Sequence, residues 1–285
     1  MSAKQACLII GAGDDTGSAV ARAFAQEGMV VCLVRRPRHA DALETLAQSI
    51  RDSGGEAIAM PADARDEDAM IALIEHIEKD VAPIEVAVFN IGANVRFSIT
   101  ETTSRVYRKV WEMACFAGFL MGREVAGKML TRGHGTIIFT GASASMRGRD
   151  GFSAFSGAKH ALRALAQSMA RELGPKNIHV AHTVIDGAID SNFIRENVPN
   201  VDELREKDAL LNPDAIAQNY VMPHSQPNPA PRLNSALTEP QPPQQASSRL
   251  TACQTKHVCP AYYHNMRHDQ KHLFLVVNYV LNSHE

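Results

Sequence analysis

A seven-residue run near the start of the chain, Gly11-Ala12-Gly13-Asp14-Asp15-Thr16-Gly17, has the make-up of a phosphate-binding turn. The apolar stretch Cys7 to Ile10 leads into it, and a helical pattern over Ser18 to Gln26 leads out. Glycines allow a tight turn and let the backbone approach a pyrophosphate. The helix beyond offers unpaired N–H groups and the positive end of its dipole. Gly11, Gly13, Thr16 and Gly17 are the candidate contacts. Asp14 and Asp15 complicate matters, because a carboxylate aimed at a phosphate repels it. They are expected to turn outward, or one of them to cap the helix.

The second chemical position is Val34-Arg35-Arg36-Pro37. NAD-binding turns of this kind end their second strand in an acid for the ribose 2′-OH, whereas arginine suits a 2′-phosphate. Val34 stands where the acid is expected. Arg35, with Arg36 beside it, therefore favours NADP(H) over NAD(H) as the cofactor. The alternative is a solvated strand end, where charge is common. Two further clusters carry side chains with candidate chemistry. Cys253, His257, Cys259, His264, His268 and His272 have metal-ligating side chains. However, the cysteines are too far apart for the Cys-x₂₋₄-Cys grip of structural zinc, so no metal site is expected. Arg147 and Arg149 would bind an acidic substrate or simply solvate a loop.

The elements that must position these groups alternate. Strands are expected at Cys7–Ile10, Met29–Val34, Ala57–Met60, Val86–Phe89, Thr136–Thr140 and His179–Ile185. Between them fall helices over Ser18–Gln26, Ala40–Arg51, Glu67–Lys79, Thr102–Leu130 and Phe152–Leu173. The last stops at Gly174-Pro175, and Asn212-Pro213 opens a short helix. Met29–Val34 is continuously apolar, as a strand covered on both faces must be. The pattern predicts an α/β fold, a Rossmann-type doubly wound parallel sheet with helices on both faces and its crevice at the C-terminal strand ends.

After Tyr220 the composition shifts abruptly. Seven of the fourteen prolines lie between Pro223 and Pro243, followed by a His-rich stretch and the apolar run Leu273–Leu281. Residues 1–220 are thus expected to form a dinucleotide-binding domain. Residues 221–285 form a Pro/Gln/His-rich, irregular C-terminal tail, expected to be poorly ordered. The run Leu273–Leu281 is too short to span a bilayer as a helix and reads as a strand, a partner-binding segment or an aggregation-prone end. The tail is either native to the domain or the product of a frameshift or alternative exon.

The bulk numbers narrow the partners. With 29 basic and 31 acidic residues there is no electrostatic case for nucleic acid or a membrane surface. The N-terminal apolar run is too short for a signal peptide or a membrane span, so a cytoplasmic protein is expected. The five cysteines form no even framework and are read as reduced.

Several landmarks together resemble the short-chain dehydrogenase/reductase family, over about residues 5 to 220. Beyond the glycine loop they are Asp63 in Pro61-Ala62-Asp63, and the turn Phe89-Asn90-Ile91-Gly92. The strand Gly135-Thr136-Ile137-Ile138, the run Phe155-Ser156-Gly157-Ala158-Lys159 and the segment Val184–Ser191 complete the set. The resemblance implies that Asp63 contacts the adenine and that Asn90 and Gly92 line the adenosine site. It implies that Lys159 holds the nicotinamide ribose, and that the segment with Asp186 in place of a usual proline closes over the nicotinamide. It also implies a small carbonyl or alcohol substrate and a homo-oligomer packed through the Trp111–Met113 helix.

The family's catalytic set is Asn, Ser, Tyr and Lys. By spacing, these positions hold Cys115, Ala142, Phe155 and Lys159. Phenylalanine can neither give nor take a proton. Ser143 lies one residue past the serine position, with Ser145 an equal candidate. Lys159 and Ser143 are therefore the candidate catalytic residues. The two readings are an atypical NADP-dependent short-chain oxidoreductase and a non-catalytic dinucleotide-binding protein, such as a cofactor sensor or interaction partner.

Overall fold

The computed structural model describes residues 4–197, 201–206, 209–225 and 276–280. Six parallel strands form its centre: β1 (Ala6–Ile10), β2 (Val30–Val34), β3 (Glu56–Ala59), β4 (Ile84–Phe89), β5 (Gly135–Ala142) and β6 (Ile178–Ile185). Their spatial order is β3-β2-β1-β4-β5-β6. The chain runs outward from β1 in one direction and then returns to its other side, so the order reverses between β1 and β4. Connections diverge at that point and leave a crevice beyond the strand ends. At the β6 edge, β7 (Val276–Val280) adds an antiparallel backbone ladder, Ala181 opposite Val280 and Ile185 opposite Val276. It lies within the apolar run Leu273–Leu281. The rest of that run and the Cys/His cluster fall outside the described residues.

Continuous apolar runs become strands here because both faces are covered. Every residue of β1, β2 and β4 is buried. On one face α5 (Ala117–Arg132) and α6 (Ser153–Leu173) bring Leu120, Met121, Val125 and Leu162 against Leu8, Phe89 and Phe139. On the other, α1 (Thr16–Gln26), α2 (Ala40–Asp52) and α9 (Pro213–Ser225) bring Phe24, Leu43, Ile216 and Tyr220 against Ile9, Val31 and Val88. Burying a large apolar side chain contributes about 1.5–3 kcal/mol, so these layers supply the main drive for the fold. The Tyr220 hydroxyl, wholly buried, is matched by Thr140 Oγ1 at 2.7 Å.

Boundaries depart from expectation where helices change pitch. The predicted Glu67–Lys79 helix is α3 (Glu67–His76) followed by a wide turn over Ile77–Val81. The predicted Thr102–Leu130 helix is α4 (Ser104–Trp111), a wide turn over Glu112–Phe116, and then α5. An inserted turn of this kind leaves no periodicity signal and is frequent near functional sites. Asn212 caps α9 as predicted: its Oδ1 accepts from the Asp214 and Ala215 amides at 2.8 and 3.3 Å. Two short helices that the sequence did not announce, α7 (Asn192–Asn197) and α8 (Val201–Glu206), lie between β6 and α9.

Candidate active site

The crevice is assembled from the ends of β1, β2, β4, β5 and β6. Gly11 turns the chain out of β1 at φ +92°, where a side chain is strained, and a Cβ there would meet the Asn90 carbonyl at 2.8 Å. Gly17, the second residue of α1, is pressed against the Gly11 carbonyl, and a Cβ would collide with it. Asn90 locks the arrangement from the β4 end, its Nδ2 donating to the Gly11 carbonyl at 3.1 Å.

Both loop acids have partners, which answers the objection they raised. Asp14 turns away from the α1 terminus to Arg35, with Nη1 to Oδ1 at 2.9 Å and Nη2 to Oδ2 at 3.4 Å. Asp15 sits at the N-cap position of α1 but makes no side-chain cap there. Its Oδ1 accepts instead from the Asn192 amide at the start of α7, 3.2 Å away. The glycine loop is thereby tied to the segment that follows β6.

One half of the crevice is lined by Gly11, Gly13, Arg35, Arg36, Asp63 and Gly92, with His39, Arg65 and Met113. Asp63 is gripped by Arg65, whose Nε lies 2.9 Å from Oδ1 and whose Nη2 lies 2.5 Å from Oδ2. That hydrogen-bonded pairing holds the Asp63 carboxyl below its ordinary pKa. Arg36 and His39 are both held below their ordinary values, first by desolvation and then by the surrounding arginines. This corner is electropositive.

The other half is lined by Thr16, Gly17, Asn90, Ala142, Ser143, Phe155, Lys159, Gly187 and Ser191, among others. Lys159, only 2% exposed, donates to the carbonyls of Thr140 at 2.8 Å and Ile91 at 3.0 Å. Burial lowers its amine to a pKa of about 8. The Phe155 ring, in the wall beside it, lies 5.9 Å from Nζ. Cys115 is buried, and burial raises its thiol pKa, with the nearby Lys159 charge partly opposing. It is absent from the lining of either half. The two serines separate. Ser143 faces the crevice, while Ser145 is fully buried with its Oγ accepting from the Ala142 amide at 3.1 Å.

At the outer mouth Arg147 pairs with Asp186 at 2.9 Å, joining the turn after β5 to the loop after β6. Behind it, Asp190 is held by Arg205 and Arg195, and these hydrogen bonds lower its pKa to about 2. The sequence named neither of these pairings, nor those of Asp14 and Asp15. Apart from Asp190–Arg195, five residues apart, these contacts link residues 15 to 177 positions apart, and pairing across such distances has no spacing rule. Met113, placed by the sequence on a candidate interface helix, lines the crevice. Trp111 stays 41% exposed, stacked on Phe116 at 5.8 Å between centroids.

Fold and crevice define an α/β protein of the doubly wound class. Residues 5–201 match the family model for short chain dehydrogenases, and the chain belongs to that family. A short-chain dehydrogenase from Rhodopseudomonas palustris superposes with a TM-score of 0.67 at 47% identity, covering 78% of this chain and 92% of that one. A fatty acyl-CoA reductase of Mycobacterium tuberculosis is 29% identical over 175 residues, 60% of this chain and 59% of its own length. A 5-keto-D-gluconate 5-reductase of Escherichia coli is 29% identical over 173 residues, 61% of this chain and 67% of its own length. Among the described residues no helix is long and apolar enough to cross a membrane.

Proposed function

We propose that this protein is an atypical short-chain oxidoreductase that takes NADP(H) in preference to NAD(H) and acts on a small carbonyl or alcohol. The observation that carries the cofactor assignment is the corner where Arg35 and Arg36 flank the glycine loop and no acid ends β2. Gly11, Gly13, Thr16 and Gly17 would hold the pyrophosphate at the N-terminus of α1, where the loop acids are turned aside. Asp63, Asn90 and Gly92 would border the adenosine. Bound NADP(H) would supply the hydride chemistry.

At the reacting end, two of the three Lys159 donors serve the Thr140 and Ile91 carbonyls. The third is left for the nicotinamide ribose. Ser143 is the hydroxyl nearest the family's serine position and would steady a substrate oxygen. Phe155 provides no proton, so turnover would rest on orientation and would lack the ~10²–10⁴-fold that a general acid contributes. That deficit is also the specific support for a second function, a dinucleotide-binding protein without catalysis.

The test is an assay of NADPH oxidation with a panel of small ketones and aldehydes. Slow, carbonyl-dependent oxidation, abolished by Lys159→Ala, is the outcome expected of an oxidoreductase. Tight NADPH binding with no oxidation by any member of the panel would favour the non-catalytic alternative.

A further inference from the structure

The electropositive corner contains more than a phosphate site. Four cations converge on it, Arg35, Arg36, Arg38 and Arg65, and Asp63 is engaged by Arg65. A second carboxylate, Asp14, turns both its oxygens to the two terminal nitrogens of Arg35. The two partners differ in exposure. The Arg35 side chain is 17% exposed and the Asp14 side chain 60%. Arg35 is the more enclosed of the two, and the acid is the partner with room to swing away.

We propose that Asp14 sets the cofactor preference of this site by competing with the 2′-phosphate for the two Arg35 nitrogens. The proposal rests on the cofactor assignment above and gives it a governor. Carboxylate and phosphate offer a guanidinium the same paired acceptors, so the two anions exclude one another. With the pair closed, Arg35 is occupied and a carboxylate stands at the end of β2. That is the group which accepts from a ribose 2′-OH in NAD-binding turns, and Val34 cannot supply it. With the pair open, Arg35 is available to a 2′-phosphate, but Asp14 is left beside a dianion. Asp14 therefore handicaps NADP(H), assists NAD(H), and narrows the preference that Arg35 creates.

The experiment is calorimetric titration of the full chain and its Asp14→Asn and Arg35→Gln variants with NADPH and with NADH. In the wild type the two dissociation constants are expected within about tenfold of each other. Asp14→Asn should tighten NADPH about tenfold or more and leave NADH unchanged or weaker. Arg35→Gln should weaken NADPH by a similar factor and spare NADH; charge-assisted hydrogen bonds have this magnitude. Equal tightening of both cofactors by Asp14→Asn would mean general repulsion at the pyrophosphate and would overturn the proposal. So would no change in either, or a wild type that prefers NADPH a thousandfold. Binding of neither cofactor by the wild type would remove the cofactor assignment itself, a result distinct from failure of the Asp14 role. Asp14→Ser, read by the same titrations, serves if Asp14→Asn fails to melt cooperatively.

Discussion

The two halves of the crevice are equipped unequally. On the adenosine side each candidate residue has a physical role in view. Gly11 is confined by neighbouring backbone and fastened by Asn90 from the other half, and Arg35, Arg36 and Arg65 make the corner positive. On the nicotinamide side the wall is as well packed, yet the side chains able to move a proton are few. In the proposed reading Phe155 and Ala142 would present carbon where the family presents oxygen, and Cys115 is buried and absent from the lining. In the proposed reading, binding and chemistry would fall towards different ends of one cleft, with Gly13, Arg35, Ile91 and Gly92 lining both halves. One end can therefore lose polar groups while the fold and the other end persist.

That contrast breaks most visibly if proton transfer is restored. The double variant Ala142→Ser, Phe155→Tyr should raise carbonyl-dependent NADPH oxidation by about a hundred- to ten-thousand-fold, the usual worth of a placed general acid. A gain below twofold would show that the nicotinamide end lacks more than these two hydroxyls. Next in size is a pH dependence rooted in buried bases. Lys159 is held at about 8 against 10.5 for an exposed amine, so between those values the unfolded chain binds more protons and stability rises with pH. Below pH 8 both states are protonated and the native state carries the full penalty, on the order of 3 kcal/mol. His182, fully buried, is held at about 3 by burial and then by Lys159 and Arg163. The unfolded state again binds the extra proton, so stability falls as pH drops from 6.5 towards 3. Urea unfolding across pH should show both slopes, with Lys159→Met removing the alkaline one and narrowing the acid one, because the Lys159 charge helps hold His182 down. Retention of the alkaline slope in the variant would refute its assignment to Lys159.

The glycine loop can be attacked through its backbone. Gly17→Ala forces a Cβ against the Gly11 carbonyl and Ala12, and should cost about 1–3 kcal/mol with a loss of NADPH affinity of about tenfold or more. Unchanged affinity in a melted-and-refolded sample would argue against the loop as the pyrophosphate seat. The smallest effect is expected at the mouth. Arg147 is 58% exposed, so Arg147→Ala should change stability by less than about 1 kcal/mol in a thermal melt. A larger loss would mean that the Arg147–Asp186 link helps hold the segment after β6 in place.

The sequence made the layered architecture legible because buried parallel strands must be continuously apolar and the helices between them amphipathic. Cys7–Ile10 and Met29–Val34 needed nothing else. The glycine loop was legible from composition and context together. Lys159, Ser143 and Phe155 carried no such signal of their own and entered only through family resemblance, since a lone lysine on a helix looks the same wherever it points. Ser143 and Ser145 could not be told apart by spacing. It took the tight turn after β5 to send one hydroxyl to the crevice and the other to the Ala142 amide. The fate of Asp14 and Asp15 was equally hidden, because their partners, Arg35 and Asn192, lie 21 and 177 residues away.

The central claim is that the dinucleotide end works independently of the catalytic end. It is tested most directly by titrating NADPH calorimetrically into the wild type and into the Ala142→Ser, Phe155→Tyr variant. One site per chain with the same affinity in both is the predicted result. Absence of binding to the wild type, or binding gained only with the restored hydroxyls, would contradict it.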